Sequence, residues 1–330
     1  MKKRYIVIII IILAVAIFVF GNKGENNKII DTEPPQLTIN GDEKKIVAYG
    51  TDFTKDSVTA TDNLDGDITE KVFVEGNVDT NNIGTYELTY KVSDSSGNTA
   101  EKKQEIMVCK PLEEKGLPVL MYHFFYDKLK GEGKDGNWME IGDFEEQIKY
   151  LSENDFYFPT WKEVEDYIDG KTILPEKSVV LTFDDGDASF FELAVPILQK
   201  YNIDGTSFLI TSWYGYRAQE KQNNVNYESH SDNMHQGASN GKGVMLSWDY
   251  EKIVEDLNKS NEILGGNSTV FCYPYGQYND TAIKALKETG YKLAFTTEYG
   301  RVKVGSNKYV LPRIRMDKTT TLSQFKNIVN

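Results

Sequence analysis

The sequence contains an apolar run that ends in two carboxylates and a glycine, Val179-Val180-Leu181-Thr182-Phe183-Asp184-Asp185-Gly186. The apolar residues predict a buried strand over 178–183. Strand alternation would send the neighbouring carboxylates to opposite faces, but Gly186 permits a sharp turn that lets both converge on one cleft. Two carboxylates in one cleft ionise differently unless a cation holds one of them charged. The same residues also fit a solvated Asp-Asp-Gly turn, so the neighbouring motifs are needed to choose between the two interpretations.

Strands and helices alternate from residue 112 to the end of the chain. Strands are predicted at 119–122, 178–183, 206–210, 270–273 and 293–297, and segments 309–315 and 322–329 complete the chain. Helices are predicted at 144–153 with Asp143 as N-cap, at 161–167 with Thr160 as N-cap, and at 191–201, 249–264 and 281–289. Repeated βα units of this kind predict a parallel sheet or barrel whose chemistry lies at the carboxyl ends of its strands.

Residues 34–108 have a different pattern, in which short alternating strands are separated by turns. Strands are predicted at 36–39, 45–49, 57–61, 72–75, 84–93 and 100–108. No window has a convincing 3.6-residue period, so the pattern predicts an all-β sandwich of immunoglobulin-like size. The segment is similar to the bacterial Ig-like repeats found beside surface enzymes, which implies a spacer or adhesion module.

One loop of this sandwich, Asp62-Asn63-Leu64-Asp65-Gly66-Asp67, crowds several oxygen ligands together. Such crowding suits calcium, but the downstream bidentate Glu of an EF-hand is missing. An Asx-rich turn between strands fits the same residues and is the interpretation that we favour.

The N-terminus combines a basic start with an apolar run. Met1-Lys2-Lys3-Arg4 precede residues 5–20, in which no side chain is charged or strongly polar. This pattern predicts an export signal over 1–21, followed by a polar linker over 22–33. A retained membrane helix is favoured over a cleaved signal peptide, because the small-residue site at Val19-Phe20-Gly21 is weak. Either way, we expect the bulk of the chain outside the cytoplasm, anchored to the cell membrane or secreted to the cell surface.

The composition excludes several classes of protein. The 330 residues carry 37 Lys and Arg against 50 Asp and Glu, a net charge of −13, so we expect no nucleic-acid partner. Two cysteines exclude a disulfide-dense scaffold and a Cys-rich zinc module, and we expect Cys109 and Cys272 to be free thiols. The chain has only three histidines, so a histidine-dependent metal site would leave almost none for other roles.

Two of the histidines, His230 and His235, lie five positions apart in a polar segment that we expect to be a turn-rich insertion. On a regular α-helix their rings would point about 140° apart, so they can share an ion only where the backbone is not helical. Two surface histidines would give the same spacing. Two His with a carboxylate is a common open metal site, which favours an ion once the Asp pair is available.

A third motif, Phe271-Cys272-Tyr273-Pro274-Tyr275-Gly276, follows another predicted strand. Proline and glycine fix a loop there, and such a loop can present a backbone N–H group to a developing oxyanion. Taken alone, the motif would be a simple turn.

Together the three motifs resemble the polysaccharide deacetylases, carbohydrate esterase family 4 with the NodB homology domain, over about residues 112–330. The resemblance implies a distorted (β/α) barrel, so we expect an α/β chain with the Ig-like sandwich and the N-terminal membrane helix before the barrel. It implies Asp184 as catalytic base and the backbone N–H of Tyr275 as an oxyanion contact. The divalent-metal ligands that it implies are Asp185, His230 and His235.

The chain departs from the family pattern in three places. Cys272 stands where the third motif usually carries an Arg, so another group must orient Asp184. The histidine motif is His-Ser-x-x-x-His, one residue longer than usual and similar to that of the biofilm poly-N-acetylglucosamine deacetylases. No His follows His235 to serve as general acid. His123, at the end of the first barrel strand, fits the place of the acid in those permuted enzymes, although a strand-capping histidine would look the same.

The resemblance implies metal-assisted hydrolysis of N-acetyl groups on a cell-surface or extracellular glycan such as poly-N-acetylglucosamine, with release of acetate. Zinc is the expected metal, and iron, cobalt or nickel suit the same ligands. The alternatives are the same reaction on peptidoglycan N-acetylglucosamine and a glycan-binding surface protein with a degenerate site. Aromatic residues beside the motifs are candidate sugar platforms, although most such rings are core. They are Phe124, Phe125, Tyr126, Trp138, Trp213, Tyr214 and Tyr216.

Overall fold

The computed structural model of the protein describes residues 31–134, 136–238 and 241–330. The predicted membrane helix at 1–21 and most of the predicted linker at 22–33 lie outside these residues. Among the helices of the described ranges, none is both long and apolar enough to cross a bilayer. The described chain forms a β-sandwich that is followed by a parallel barrel.

The N-terminal part is an all-β sandwich, as its alternating pattern predicts. Its strands are β1 (Gln36–Ile39), β2 (Lys44–Ala48), β3 (Val58–Asp62), β4 (Gly66–Asp67), β5 (Phe73–Glu75), β6 (Gly84–Ser93) and β7 (Thr99–Cys109). Strands β1, β3 and β4 form one antiparallel sheet, and β2, β7, β6 and β5 form the other, in which β2 runs parallel to β7. Leu37, Leu88 and Ile106 are buried in the core that both sheets share.

The C-terminal part is a closed barrel of seven parallel strands. Its strands in chain order are β8 (Val119–Tyr122), β11 (Val180–Phe183), β12 (Gly205–Leu209), β13 (Val225–Ser229), β14 (Val270–Cys272), β15 (Leu293–Tyr299) and β16 (Leu311–Arg315), with a separate pair formed by β9 (Phe124–Tyr126) and β10 (Trp138–Glu140). Successive barrel strands pair with one another, and β16 closes on β8. The alternation of strands and helices predicts a parallel sheet or barrel, and the structure is the barrel that the family resemblance implies.

The α-helices of the described ranges are α1 (Ile141–Glu153), α2 (Trp161–Ile168), α3 (Val195–Tyr201), α4 (Thr211–Tyr214), α5 (Tyr250–Ile263), α6 (Asp280–Glu288) and α7 (Leu322–Val329). Thr160 caps α2 as predicted, in a reciprocal pair with Glu163. The predicted cap of α1 is wrong. The Glu140 carboxylate accepts the N–H groups of Gly142 and Asp143, which places Asp143 inside the first turn.

Strand β13 differs from the prediction that the histidine motif lies in an insertion. It pairs with β12 over its whole length and ends directly before His230. The buried residues of β13, Glu228 and Ser229, are polar, so the hydropathy of the sequence does not identify β13 as a barrel strand. Glu228 is buried because it accepts the Ser268 hydroxyl and the N–H groups of the two residues that follow Ser268. Burial nevertheless raises the pKa of Glu228 to about 7.

The packing of β8 against β11 fixes the residues that follow both strands. Phe183 lies opposite Tyr122 in the register, and the Asp184 N–H donates to the Tyr122 carbonyl at 2.9 Å. The Tyr122 and Phe183 rings are fully buried and stack at 5.4 Å between centroids. His123 and Asp184 therefore leave the barrel side by side, at its carboxyl end.

Candidate active site

A cavity of about 400 Å³ opens at the carboxyl end of the barrel. Its walls come from residues that follow β8, β11, β13 and β14 and from the end of β16. Because the barrel strands are parallel, their carboxyl ends meet at one rim and bring together residues that are far apart in sequence. All the residues predicted for the site line this cavity: His123, Asp184, Asp185, His230, His235 and Tyr275.

The turn after β11 brings both carboxylates to the cavity. Asp185 and Gly186 have positive φ angles of 74° and 83°, which make the turn sharp. The left-handed backbone at Gly186 favours glycine, and a Cβ atom there would lie 2.5 Å from the end of the Leu209 side chain, which would have to shift. The turn that this glycine predicts is present, and it overcomes the alternation that would separate Asp184 from Asp185.

Asp185, His230 and His235 form a cluster that fits a divalent metal ion. Asp185 Oδ1 lies 3.3 Å from His230 Nε2 and 3.4 Å from His235 Nε2. Ser231 has a φ of 74°, so the backbone is not helical and the two imidazole rings meet at 4.9 Å between centroids. Asp185 Oδ1 is buried and has no hydrogen-bond partner within the described part of the chain. A buried, unpartnered carboxylate oxygen that faces two imidazole nitrogens is an arrangement that a metal ion satisfies.

The two imidazoles differ in their electrostatics. His230 Nδ1 lies 2.7 Å from the Cys272 carbonyl, which can only accept, so Nδ1 carries a proton and Nε2 faces Asp185. Burial alone would lower the pKa of His230, but contacts with Cys272 and Asp185 raise it well above the ordinary value. A proton and a metal ion would therefore compete for His230 Nε2. Burial and the neighbouring His230 lower the pKa of His235 to about 4, so its ring is neutral at pH 7.

Arg313 of β16 orients Asp184. Its Nη1 and Nη2 atoms donate to the two carboxylate oxygens, both at 2.7 Å, and further bonds reach Thr182 Oγ1 and the Thr296 carbonyl. The side chains of Arg313 and Asp184 are 0% and 2% exposed. Nη2 also donates to the sulfur of Cys272, the residue that replaces the usual Arg. The positive charge that is missing from the third motif is thus supplied by the last barrel strand.

Sequence reasoning did not identify Arg313. The available signal is a charged residue inside the otherwise apolar stretch Leu311-Pro312-Arg313-Ile314 of a predicted segment. A buried arginine requires an ionised partner, and that partner lies on a different strand. Burial opposes ionisation of Asp184, but the charge and hydrogen bonds of Arg313 outweigh it and hold the pKa of the carboxyl well below its usual range. Cys272 and Cys109 are both buried free thiols, as predicted.

His123 lies beside Asp184, with its Nε2 atom 3.7 Å from Asp184 Oδ2. Its Nδ1 is buried and has no hydrogen-bond partner among the residues that the structure describes, which is not what a strand-capping histidine requires. Burial lowers the pKa of His123 although both neighbouring aspartates raise it, so the ring is neutral at pH 7. A neutral imidazole next to an ionised carboxylate can accept a proton and pass it on.

Asp256 of α5 fixes the loop that carries the other two histidines. Its carboxylate oxygens accept the N–H of Asp232 at 2.8 Å and the N–H of Asn233 at 2.7 Å. Asp232 in turn accepts a bond from Lys259 at 2.6 Å. Because these bonds hold the backbone between the two imidazoles, α5 positions both rings without lining the cavity itself.

Tyr275 lies at the mouth of the cavity in a left-handed loop. Tyr275 and Gly276 have φ angles of 59° and 69°, and a Cβ atom on Gly276 would lie 2.2 Å from Thr297 Oγ1. The Tyr275 ring is 45% exposed and lies 4.4 Å from the His235 ring, between centroids. The third motif is therefore a constrained loop beside the cluster of Asp185, His230 and His235 and not a simple surface turn.

The candidate sugar platforms differ in exposure. Phe125 is fully buried, so its interpretation as a platform is wrong; its ring packs against Phe144 in the core. Trp213 and Tyr216 are 50% and 52% exposed and can contact a glycan. The others are partly buried: Phe124, Tyr126, Trp138 and Tyr214.

Comparison with family models agrees with this geometry. Residues 171–294 match the model described as polysaccharide deacetylase, and residues 37–108 match the model described as bacterial surface protein, Ig-like domain. The resemblances predicted from the three motifs and from the alternating strands are therefore confirmed.

Individual relatives extend the comparison. A poly-beta-1,6-N-acetyl-D-glucosamine N-deacetylase of Staphylococcus aureus (strain MRSA252) is 35% identical over 192 residues, which cover 52% of this chain and 65% of the relative. The chain thus spans about 65% of the length of the curated relatives that it matches first. The structure of IcaB from Ammonifex degensii is 26% identical, with a TM-score of 0.55 over 67% of this chain and 98% of that one. The Streptococcus pyogenes deacetylase PplD in complex with acetate shares the fold, at 23% identity and a TM-score of 0.58 over 67% of this chain and all of that one.

Arg313→Met is expected to destabilise the barrel by about 3–5 kcal/mol, because it leaves the Asp184 carboxylate buried without its charge partner. The double variant Arg313→Met/Asp184→Asn removes both charges and should recover part of that loss. Urea unfolding followed by tryptophan fluorescence measures both, since all four tryptophans lie after residue 112. If the double variant is no more stable than the single one, the unpaired Asp184 charge is not the cause of the destabilisation.

Asp256→Asn is expected to weaken binding of a divalent metal by about 10–100-fold, because one of the two acceptors that hold the histidine loop becomes a donor. Glu255→Gln is the matched control, since it removes a charge from the exposed side of the same helix. Competition with a chromogenic chelator measures both affinities. Equal metal affinity in Asp256→Asn and the unmodified protein would mean that α5 does not position the imidazoles.

Proposed function

We propose that this protein is a metal-dependent deacetylase that hydrolyses N-acetyl groups on an N-acetylglucosamine polysaccharide and releases acetate. The observation that carries the proposal is the buried, unpartnered Asp185 Oδ1 atom, which faces two imidazole nitrogens directly beside the Asp184 carboxylate. Metal-assisted amide hydrolysis needs a metal site, a proton acceptor and a proton donor. The cavity contains the cluster of Asp185, His230 and His235, together with the ionised carboxylate of Asp184 and the neutral imidazole of His123. The family-model match over 171–294 supports the same reaction class.

The substrate is assigned to poly-β-1,6-N-acetylglucosamine. The curated relatives carry that polymer in their names, and the first of them is 35% identical to this chain. The expanded spacing of His230 and His235 supports the same assignment over the alternative substrate, peptidoglycan N-acetylglucosamine. The half-exposed rings of Trp213 and Tyr216 are the candidate contacts for the polymer.

Asp185, His230 and His235 would hold the metal, with zinc as the first candidate and iron, cobalt or nickel as alternatives. When bound, the ion would polarise the acetyl carbonyl and lower the pKa of a water molecule toward neutrality. The ligand atoms of the three residues lie within 4.8 Å of one another, which supports binding of one ion by all three.

In the proposed reaction Asp184 accepts the proton of the attacking water. Arg313 holds the pKa of Asp184 low, so the carboxylate does not retain this proton. His123 Nε2 lies 3.7 Å from Asp184 Oδ2, beyond direct hydrogen-bond reach, so one water molecule would relay the proton to His123. His123 is neutral before it receives the proton, and it then protonates the sugar nitrogen as the C–N bond breaks. The Tyr275 backbone N–H stabilises the tetrahedral oxyanion, and acetate and the free amine leave.

The proposed domain organisation places this reaction at the cell surface. Residues 34–108 form an Ig-like spacer and residues 112–330 form the deacetylase domain. The export pattern over 1–21 supports a membrane-anchored or secreted protein, and the match of 37–108 to a bacterial surface domain agrees with it.

Metal-loaded protein is expected to release acetate from β-1,6-linked N-acetylglucosamine oligomers, and Asp184→Asn should lower the rate by about 10²–10⁴-fold because the proton acceptor is lost. A chelator should stop the reaction, and added zinc should restore it. Asp187→Asn is the matched control, since this nearby carboxylate caps the turn at Ser189 and does not line the cavity. An enzymatic acetate assay gives all the rates.

Three outcomes would contradict parts of the proposal. Acetate release that is insensitive to both Asp184→Asn and the chelator would refute the mechanism. Release from peptidoglycan but not from the oligomers would move the assignment to the alternative substrate. Glycan binding without any release would favour a binding module.

His123→Ala is expected to lower kcat by about 10²–10⁴-fold while metal affinity is retained, because the residue transfers a proton and does not ligate the ion. Turnover and metal content are measured on the same preparation. Undiminished turnover with the metal still bound would refute the proton-transfer role of His123.

A further inference from the structure

We propose that the Ig-like sandwich contains a calcium site formed by Asp31, Asp62 and Asp94. These aspartates come from three separate segments: the stretch before β1, the end of β3 and the turn between β6 and β7. Each residue offers one carboxylate oxygen, and the three oxygens lie within 4.8 Å of one another. The site is independent of the cavity at the end of the barrel.

The cluster is strongly acidic and poorly solvated. All three carboxylate side chains are buried, although each carries a full negative charge when ionised. No lysine, arginine or histidine of the described ranges forms an ion pair with any of them; Lys71, a lysine of the same loop region, pairs with Asp65 instead. N–H groups donate to carboxylate oxygens of Asp31 and Asp94, and a cation among the three carboxylates would offset the repulsion that these bonds leave.

One oxygen of the cluster points to a ligand directly. Asp62 Oδ1 accepts the N–H groups of Leu64 and Asp65, at 3.0 and 2.8 Å. The other oxygen, Asp62 Oδ2, is fully buried and has no hydrogen-bond partner among the described residues. Buried polar atoms are nearly always partnered, so an orphaned carboxylate oxygen beside two other carboxylates indicates a group that completes its coordination.

The loop at 62–67 therefore forms a turn and also contributes one ligand to the proposed calcium site. The sequence alone could not distinguish these two roles. Asp65 accepts bonds from Ser95, and Asp67 accepts the Thr69 N–H, so these two carboxylates serve as turn and loop contacts. Asp62 is the member of the loop that joins the cluster. Its partners lie about 30 residues away on either side, and no local motif links them.

The donor set selects calcium. Carboxylate oxygens are hard ligands, which excludes metals that prefer sulfur or imidazole. Calcium binds oxygen ligands at about 2.3–2.6 Å. Two oxygens bound to one such ion lie at most about 4.6–5.2 Å apart, and the three oxygens of the cluster, all within 4.8 Å of one another, fit within this limit. Magnesium binds at about 2.0–2.1 Å, keeps most of its waters and rarely uses three protein carboxylates. A bound calcium ion would tie the chain before β1 to two loops at one end of the sandwich.

The test is calorimetric titration of the full, EGTA-treated chain with calcium chloride, read together with a thermal melt. One calcium ion should bind, with a Kd of about 10⁻⁴–10⁻³ M as in extracellular modules, and the melting temperature should rise. Asp62→Asn should weaken binding at least 10-fold, because its Oδ1 still accepts the loop N–H groups while its second oxygen becomes a donor. Asp67→Asn, the matched control in the same loop, and Asp185→Asn, in the barrel cluster, should both bind calcium as the unmodified chain does.

Several results would overturn the proposal. One is the absence of binding and of any thermal shift at calcium concentrations about 10-fold above the expected Kd range. The others are calcium binding by Asp62→Asn that equals that of the unmodified chain, and loss of calcium binding in Asp185→Asn. Magnesium that binds as tightly as calcium would overturn the assignment of the ion. If Asp62→Asn does not fold, Asp94→Asn replaces it, with the same expectation and the far-ultraviolet spectrum as the check on folding.

Discussion

The buried pair between Arg313 and Asp184 is the interaction on which the geometry of the site depends. It joins residues 129 positions apart and links the last barrel strand to β11 through two hydrogen bonds of 2.7 Å. Buried ion pairs are weak contributors to stability compared with apolar packing, so we infer that this pair serves to orient the Asp184 carboxylate. Here the pair fixes Asp184 at the cavity floor, and the left-handed turn that follows directs Asp185 toward the imidazoles.

The two neighbouring carboxylates have different surroundings, and this difference divides their chemistry. Asp184 has both oxygens satisfied by a cationic side chain, whereas Asp185 has a buried oxygen without a partner that faces His230 and His235. One carboxylate is thus suited to transient proton transfer and the other to metal ligation. Cys272 takes part in this division, because its sulfur accepts a bond from Arg313 and its carbonyl accepts one from His230. Residue 272 thus has a small side chain, and the arginine beside it, Arg313, comes from another strand, β16.

The sequence predicts those features whose causes are local. Apolar runs and turn residues locate most barrel strands, and the three sequence motifs mark the ends of strands. The six candidate site residues, which follow the ends of barrel strands, line one cavity in the structure. Features with distant causes were missed. Strand β13 is polar because Glu228 finds its hydrogen-bond partners about 40 residues later, and the role of Arg313 depends on a carboxylate on another strand. The burial of Phe125 follows from packing against Phe144, which its place beside His123 does not reveal.

Anomalous diffraction from crystals of the zinc-loaded protein tests the central claim most directly. The account predicts one zinc peak in the barrel cavity, about 2.0–2.2 Å from a carboxylate oxygen of Asp185 and from the Nε2 atoms of His230 and His235. The Arg313–Asp184 pair should be intact beside it, with His123 outside the coordination sphere. Zinc bound elsewhere in the barrel, zinc coordinated by His123, or no zinc at this cluster after loading would contradict the account.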